Sequence, residues 1–407
     1  MSAFGNGARG TAELAVATFG AAAVAMLTSM VLTRAMTPED FGAYRYVIAI
    51  VGLAAIVVNV GIPYSAARLL AQKSATEHTR IVAASAQLML VAVFAGALLL
   101  CLVSLAVRPV SDIAHLLIIA AALLWTTALQ RFFMYSLRGA GRTRDIAVQT
   151  MLPPIITLGA SIVLAVAFQE ISLAAVLAVV GASYLGAHMA TAVRLGILRE
   201  RRLGAERSFV LATQRETGVP IYKGALVSVG AAELVVVLGG AMVGESDFGH
   251  FSLALSLASP AATLPAVVGM VQFRAFGASG RLTRRTLWST TVRSGLLAVV
   301  GVGAGWLIFP LMFPADFGAA RMMFPALTIG FLMHGLADYL NQFMQAQGAG
   351  LALKRASYCV GVAGLIVGAT LIPFIGVWGL VATKVAGGLI YITSMLFLVW
   401  RWHHARR

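Results

Sequence analysis

Residues 33–46 read TRAMTPEDFGAYRY, and this stretch decides the fold. A long apolar run ends there, turns through charge and proline, and at once begins again. The pattern predicts the tip of a membrane hairpin. Pro38 has no N–H to donate, Glu39 and Asp40 suit the first turn of a new helix, and Gly42 relieves crowding where that helix starts. The second half of the chain repeats the turn as AMVGESDFGHF, residues 241–251, and a weaker echo, PADFG, stands at 314–318. Asp-Phe-Gly is also a protein-kinase landmark, but a kinase needs a glycine-rich loop, a strand lysine and a catalytic loop around it. None accompanies these triplets, so they mark turns.

Composition agrees with the hairpin. Of 407 residues, 60% are hydrophobic and 11% charged, with a mean hydropathy of +0.89, too apolar for a soluble domain. Twelve apolar stretches are each long enough to cross a hydrocarbon core of about 30 Å as a helix: 11–33, 42–64, 81–107, 113–137, 146–168, 171–195, 219–243, 248–273, 286–313, 321–345, 357–374 and 377–400. Backbone groups in that core have no water partner, so helices carry them. Cys101 and Cys359 lie inside apolar runs without CxxC spacing and read as small core residues. The first run is too long for a cleaved leader and reads as a retained helix. The adjacent pair His403 and His404 lacks metal-ligand spacing and reads as part of a basic anchor at the lipid surface.

The net charge of +15 reports orientation rather than nucleic acid. With the N-terminus inside, the inner segments hold Arg68, Lys73, Arg80, Arg138, Arg142, Arg144, Arg201, Arg202, Arg281, Lys354, Arg355, Arg406 and Arg407, while the outer turns hold only Arg34, Arg108 and Arg321. That bias predicts both termini in the cytoplasm. The outer turns are acidic instead, with Glu39, Asp40, Asp112, Glu170, Glu245, Asp247 and Asp316. The longest polar stretch, 199–218, falls near the middle of the chain and reads as a cytoplasmic linker between two six-helix halves, 1–198 and 219–407. Six is even, so the halves enter the membrane in the same sense, as parallel repeats around a central cavity. The expected fold is therefore an all-α polytopic membrane protein.

With the PEDFGAY turn, Gly61-Ile62-Pro63 and twelve spans in two halves, the whole chain resembles the oligosaccharide flippases of the multidrug/oligosaccharidyl-lipid/polysaccharide exporter superfamily, most clearly over 32–61. It departs from the lipid II flippases of that superfamily in lacking two additional helices. It departs from some drug antiporters in having no clear helix 1 aspartate, Glu13 lying close to the cytoplasmic end. The resemblance implies an alternating-access carrier in the bacterial cytoplasmic (inner) membrane. It would move an undecaprenyl-diphosphate-linked oligosaccharide to the outer leaflet for surface polysaccharide, among membrane lipids and beside a polysaccharide polymerase. No cofactor is expected, and nothing matches the GxxxxGK[ST] phosphate loop, so uphill transport would draw on a proton or sodium gradient. A multidrug antiporter on the same fold is the closest alternative. A polytopic polymerase or ligase is the enzymatic one, but short outer turns leave little room for reacting groups.

On that reading an anionic diphosphate meets basic side chains: Arg131, Lys223 and Arg293 toward the cytoplasmic half, and Arg45 near the outer end of the second helix. Charges at such depth face a bundle interior or water, although arginine and lysine near helix ends also reach the interface by snorkelling. Coupling would fall to Glu233, deep in the seventh span, and to Asp338 with His334 one turn away. His334, Asp338, Asn341 and Gln345, with Gln342 beside them, form a polar stripe on one helix face. Interhelical hydrogen bonding accounts for the amides equally well.

Overall fold

The computed structural model describes residues 2–107, 114–168, 171–200, 203–279 and 282–404. The RPVSD turn with Arg108 and Asp112, the Gln169-Glu170 turn, and Arg201, Arg202, Arg281, Arg406 and Arg407 lie outside them. The described residues are mostly helical and contain no strand. The helices are α1 (Ser2–Ala35), α2 (Pro38–Val57), α3 (Ile62–Gln72), α4 (Ala75–Val107), α5 (Ala114–Gly139), α6 (Thr143–Ala167), α7 (Leu173–Arg194), α8 (Gly204–Thr213), α9 (Val219–Ala225), α10 (Ala231–Val243), α11 (Glu245–Ala258), α12 (Pro260–Ser279), α13 (Arg284–Met312), α14 (Gly318–Ala346), α15 (Gly350–Ile375) and α16 (Val377–His404). Among the described residues, twelve helical stretches are long and apolar enough to cross a membrane. This is a multi-pass membrane protein.

The PEDFG turn forms as its residues dictate. Thr37 Oγ1 accepts from the Asp40 N–H at 3.1 Å, so a threonine caps α2 and the following proline occupies its first position, where no donor is needed. The second span is shorter than 42–64: α2 stops at Val57, and Ile62 opens the separate helix α3. Gly61 turns the chain at φ 85° beside Val60 at φ 40°. The carbonyls released at this break find partners, because Tyr222 Oη donates to Val57 O at 2.8 Å and Gln214 Nε2 to Val60 O at 2.6 Å. Free carbonyls at a helix end demand such donors. Arg68 sits in α3 and Arg80 in α4, on either side of a short turn.

The stretch 199–218 is also more ordered than its polarity implies. Residues 204–218 are helical and run on through π-helical turns at Gln214–Gly218 and Leu226–Gly230, so that Gly204–Val243 is one candidate span. Polar contacts hold it: Arg80 Nη2 lies 2.9 Å from Glu206 Oε1, and Arg207 Nε donates to Gln87 Oε1 at 2.9 Å. Leu203 and Val210 are buried in the surrounding core. Cys359 corrects another expectation, for it is exposed while Cys101 is half-buried. In a span, an apolar face can look outward and still be apolar.

The chain forms two compact units. One comprises Met1–Thr11, Ala25–Gly42 and Leu238–Arg407, the other Ala12–Val24 and Ala43–Val237. In the first unit the three Asp-Phe-Gly turns converge. A Cβ on Gly42 would lie 1.8 Å from Glu245 O, and one on Gly249 would lie 2.4 Å from Pro38 O. The contact is reciprocal: each glycine meets the carbonyl four residues before the other. Phe317 from the third turn packs edge-on to Phe41 at 5.7 Å and to His250 at 5.9 Å, and His250 Nε2 is 2.9 Å from Asp316 O. Phe41, Phe248 and Phe317 are fully buried.

The second unit is pinned by a polar network inside α5, α6 and α7. Gln149 Nε2 donates to Gln130 Oε1 at 2.8 Å and lies 2.8 Å from His188 Nδ1, while Thr191 Oγ1 donates to Gln149 Oε1 at 2.6 Å. His188 Nε2 is 2.9 Å from Thr126 O, which assigns the proton to Nε2 and leaves Nδ1 to accept. Every ring nitrogen is satisfied, so this histidine is structural.

Packing this close leaves no space for a methyl group, and overpacking costs about 1–3 kcal/mol. Gly42→Ala and Gly249→Ala should each lower the melting temperature in detergent. Gly159→Ala, in α6 with nothing within 4 Å of its added Cβ, should leave it unchanged or raise it. Equal behaviour of the three variants would contradict the reciprocal contact.

Candidate functional site

In the first unit, α14 and α16 touch where glycine meets glycine. A Cβ on Gly388 would lie 2.5 Å from Gly330 O, and one on Gly330 would lie 3.2 Å from Lys384 O. Small residues let transmembrane helices approach this closely. One and two turns beyond Gly330 come His334 and Asp338; Lys384 and Tyr391 flank Gly388 on α16. The close crossing thus sets a polar group into apolar helices.

The hydrogen bonds run in one direction. Gln345 Nε2 donates to Asn341 Oδ1 at 3.3 Å, Asn341 Nδ2 donates to Tyr391 Oη at 3.0 Å, and Tyr391 Oη donates to Asp338 Oδ1 at 3.0 Å. The chain of donors ends on a carboxylate. His334 Nε2 stands 3.9 Å from Asp338 Oδ2 and its ring is 5.0 Å from that of Tyr391. Lys384 is within electrostatic reach of both His334 and Asp338, and its Nζ lies 4.2 Å from the Phe331 ring centroid. The His334 and Asp338 side chains keep 41% and 35% of their surface, so neither is sealed inside the core. A carboxylate and an ammonium in one half-open site can take up a small cation, exchange a proton, or meet an anion.

Four of the stripe residues are therefore brought together: His334, Asp338, Asn341 and Gln345. Gln342 turns toward α12, where a Cβ on Gly269 would lie 3.1 Å from its Cγ. Glu233 belongs to the second unit, half-buried on α10, with its Oε2 3.8 Å from where a Cβ on Gly52 would stand. Arg131 and Arg45 are half-buried in that unit, whereas Lys223, between the two π-helical turns, is exposed. Arg293, on α13 of the first unit, is also exposed. Glu13, noted near the start of the first span, stands 3.9 Å from Arg144. Lys384 and Tyr391 were missed by the sequence reading, although a lysine inside the apolar run 377–400 is itself a signal.

Tyr391→Phe removes the donor to Asp338 and the acceptor of Asn341 together, which should cost about 1–2 kcal/mol of stability. Combined with Asp338→Asn, the loss should fall short of the sum of the single variants by about 0.5 kcal/mol or more. Chemical denaturation of the two singles and the double tests this, and strict additivity would show the bond to be without effect.

The model of the family described as polysaccharide biosynthesis protein matches residues 8–219. Among solved structures, the chain is similar to "Lipid II flippase MurJ, inward closed conformation", with a TM-score of 0.70, 14% identity, and coverage of 95% of this chain and 87% of that one. It is similar to an inward-facing multidrug resistance MATE family transporter of the MOP superfamily, with a TM-score of 0.69, 11% identity, and coverage of 94% and 95%. A MOP superfamily transporter from Pyrococcus furiosus matches with a TM-score of 0.56, 12% identity, and coverage of 97% and 96%. No curated protein matches the chain in sequence. At such identities the structural likeness shows a shared fold. The family match spans just over half of the chain, and on that ground the protein belongs to the polysaccharide biosynthesis protein family.

Proposed function

We propose that this protein carries an undecaprenyl-diphosphate-linked oligosaccharide from the cytoplasmic to the outer leaflet of a bacterial inner membrane, for surface polysaccharide. The family match over residues 8–219 carries the reading. Transport proceeds by alternating access of two six-helix halves, 1–198 and 219–407, joined through 199–218, with both termini cytoplasmic. The lysine and arginine bias between the two sets of turns supports that orientation. A polysaccharide polymerase receives the translocated product.

A diphosphate needs cationic partners, and each unit offers candidates: Arg131, Arg45 and Lys223 in one, Arg293 and Lys384 in the other. Asp338 and Glu233 supply the coupling groups. Binding of a proton or sodium ion at Asp338 reduces the negative charge that faces Lys384, so cation uptake and release of Lys384 toward an anion are linked in one site. Tyr391 and Asn341 hold the carboxylate in place through the change. A second reading, a cation-coupled multidrug antiporter, draws on the likeness to the MATE transporter and on the acidic Asp338. The two differ in substrate, so loss of the protein distinguishes them. A deletion strain should accumulate lipid-linked oligosaccharide on the cytoplasmic face. Unchanged surface polysaccharide together with drug hypersensitivity would select the antiporter.

Two further outcomes are expected. Ser246→Cys should react with an impermeant thiol reagent only from outside the cell, and reaction only from the cytoplasm would invert the topology. Asp338→Asn and Glu233→Gln should fold yet transport without response to an imposed proton or sodium gradient. Neutral replacement of Arg131, Arg45, Lys223 or Arg293 should lower flux about tenfold or more for each residue that meets the diphosphate, since a charge-assisted hydrogen bond contributes about 1.5–3 kcal/mol. Normal surface polysaccharide in any one variant removes that residue from the site.

A further inference from the structure

In the second unit, α5 carries Arg131, Tyr135 and Arg138 on one face, at the four- and three-residue steps that align side chains along a helix. Its other face is buried through Phe132, Phe133, Ser136 and Leu137. Helix α3 is drawn against α5 at Gly139, whose Cβ would lie 2.3 Å from Ala67 O. That contact sits one turn from Tyr135 on α5 and one turn from Tyr64 on α3. The two rings meet edge to face, with centroids 4.9 Å apart and planes at 73°. The Arg138 guanidinium lies 5.9 Å from the Tyr135 ring centroid. Arg131 and Tyr222 of α9 are both within electrostatic reach of Tyr64, and Tyr222 is anchored by its bond to Val57 O at 2.8 Å.

These five side chains are not a core. The three tyrosines and Arg131 are half-buried, and Arg138 is exposed. A tyrosine offers a flat apolar face with a polar tip, suited to a ring that is apolar on its C–H face and hydroxylated at its edge. A guanidinium offers paired donors that match phosphate oxygens. Together they fit one chemical class, a sugar joined to a phosphate or diphosphate. The α5 members stand in the last three turns of that helix, next to Arg142 in the turn and Arg144 at the start of α6, the end assigned to the cytoplasm.

We propose that Tyr64, Tyr135 and Tyr222, with Arg131 and Arg138, form the platform that receives the first sugar of a diphosphate-linked lipid, the rings stacking on the sugar and the guanidiniums pairing with the diphosphate. The inference rests on the flippase reading and adds to it a subsite that distinguishes a sugar-bearing lipid from the bare diphosphate. The competing role is that of an interfacial anchor, because tyrosine and arginine also gather at lipid head groups.

The test uses the full chain in nanodiscs with two probes: undecaprenyl diphosphate, and the same lipid bearing one N-acetylglucosamine. Tyr64→Leu/Tyr135→Leu should weaken the sugar-bearing probe about tenfold, equivalent to about 1.4 kcal/mol, and change the bare lipid by less than about twofold. Arg131→Gln should weaken both probes by about the same tenfold factor. Tyr64→Phe/Tyr135→Phe keeps the rings and should keep the selectivity, and Tyr222→Leu supplies a further variant should the double leucine protein not fold. Tyrosine variants that weaken both probes alike, or neither, would overturn the platform while wild-type binding of both left the flippase reading standing. Wild-type protein that bound neither probe would overturn the flippase reading and the platform with it.

Discussion

Backbone pressed against backbone, with no side chain between, is the constraint on which this structure depends. At the Asp-Phe-Gly turns the Gly42 and Gly249 contacts leave less than van der Waals distance for a Cβ, so two helix starts share one volume only because both residues are glycine. Helices in lipid gain little from hiding apolar surface, since the surrounding chains are as apolar as they are. Close van der Waals contact and hydrogen bonds take over. The same device recurs at Gly330 with Gly388 and at Gly139 with Ala67. Each lies within one or two turns of a chemically capable group.

Polar networks then decide register. An apolar helix surface offers many near-equivalent rotations, and a hydrogen bond that can be made in only one of them selects it. Gln149, His188 and Thr191 do this for α5, α6 and α7 with every donor placed. Tyr391, Asn341 and Asp338 do it for α14 and α16, but there the carboxylate and His334 stay partly open. The first network is closed and structural. The second is held on one side by Tyr391 and partly exposed on the other.

The seventh span combines both features. Two π-helical turns bracket α9, and such turns shift the face that a helix presents and often accompany functional sites. Tyr222 and Gln214 spend their donors on the carbonyls at the α2 break. Lys223 is left exposed and Glu233 half-buried beside Gly52. A straight helix would not distribute these four side chains in this way.

Period and length made much of this legible in advance. Twelve apolar runs, the proline and acidic start of α2, and the repetition of Asp-Phe-Gly are local properties, and so is the stripe of His334, Asp338, Asn341 and Gln345, because a helix repeat alone places them on one face. What each face meets is not local. Gly330 and Gly388 are distant in sequence, and only their contact sets Lys384 and Tyr391 beside Asp338; only Gly139 against Ala67 brings Tyr64 to Tyr135. The break at Val57 and the helix over 204–218 were hidden for the same reason, since donors and partners from other segments stabilise them. Composition and periodicity determined the spans and their polar faces, while the tertiary structure decided the partners, because close approach depends on which small residues coincide when helices cross.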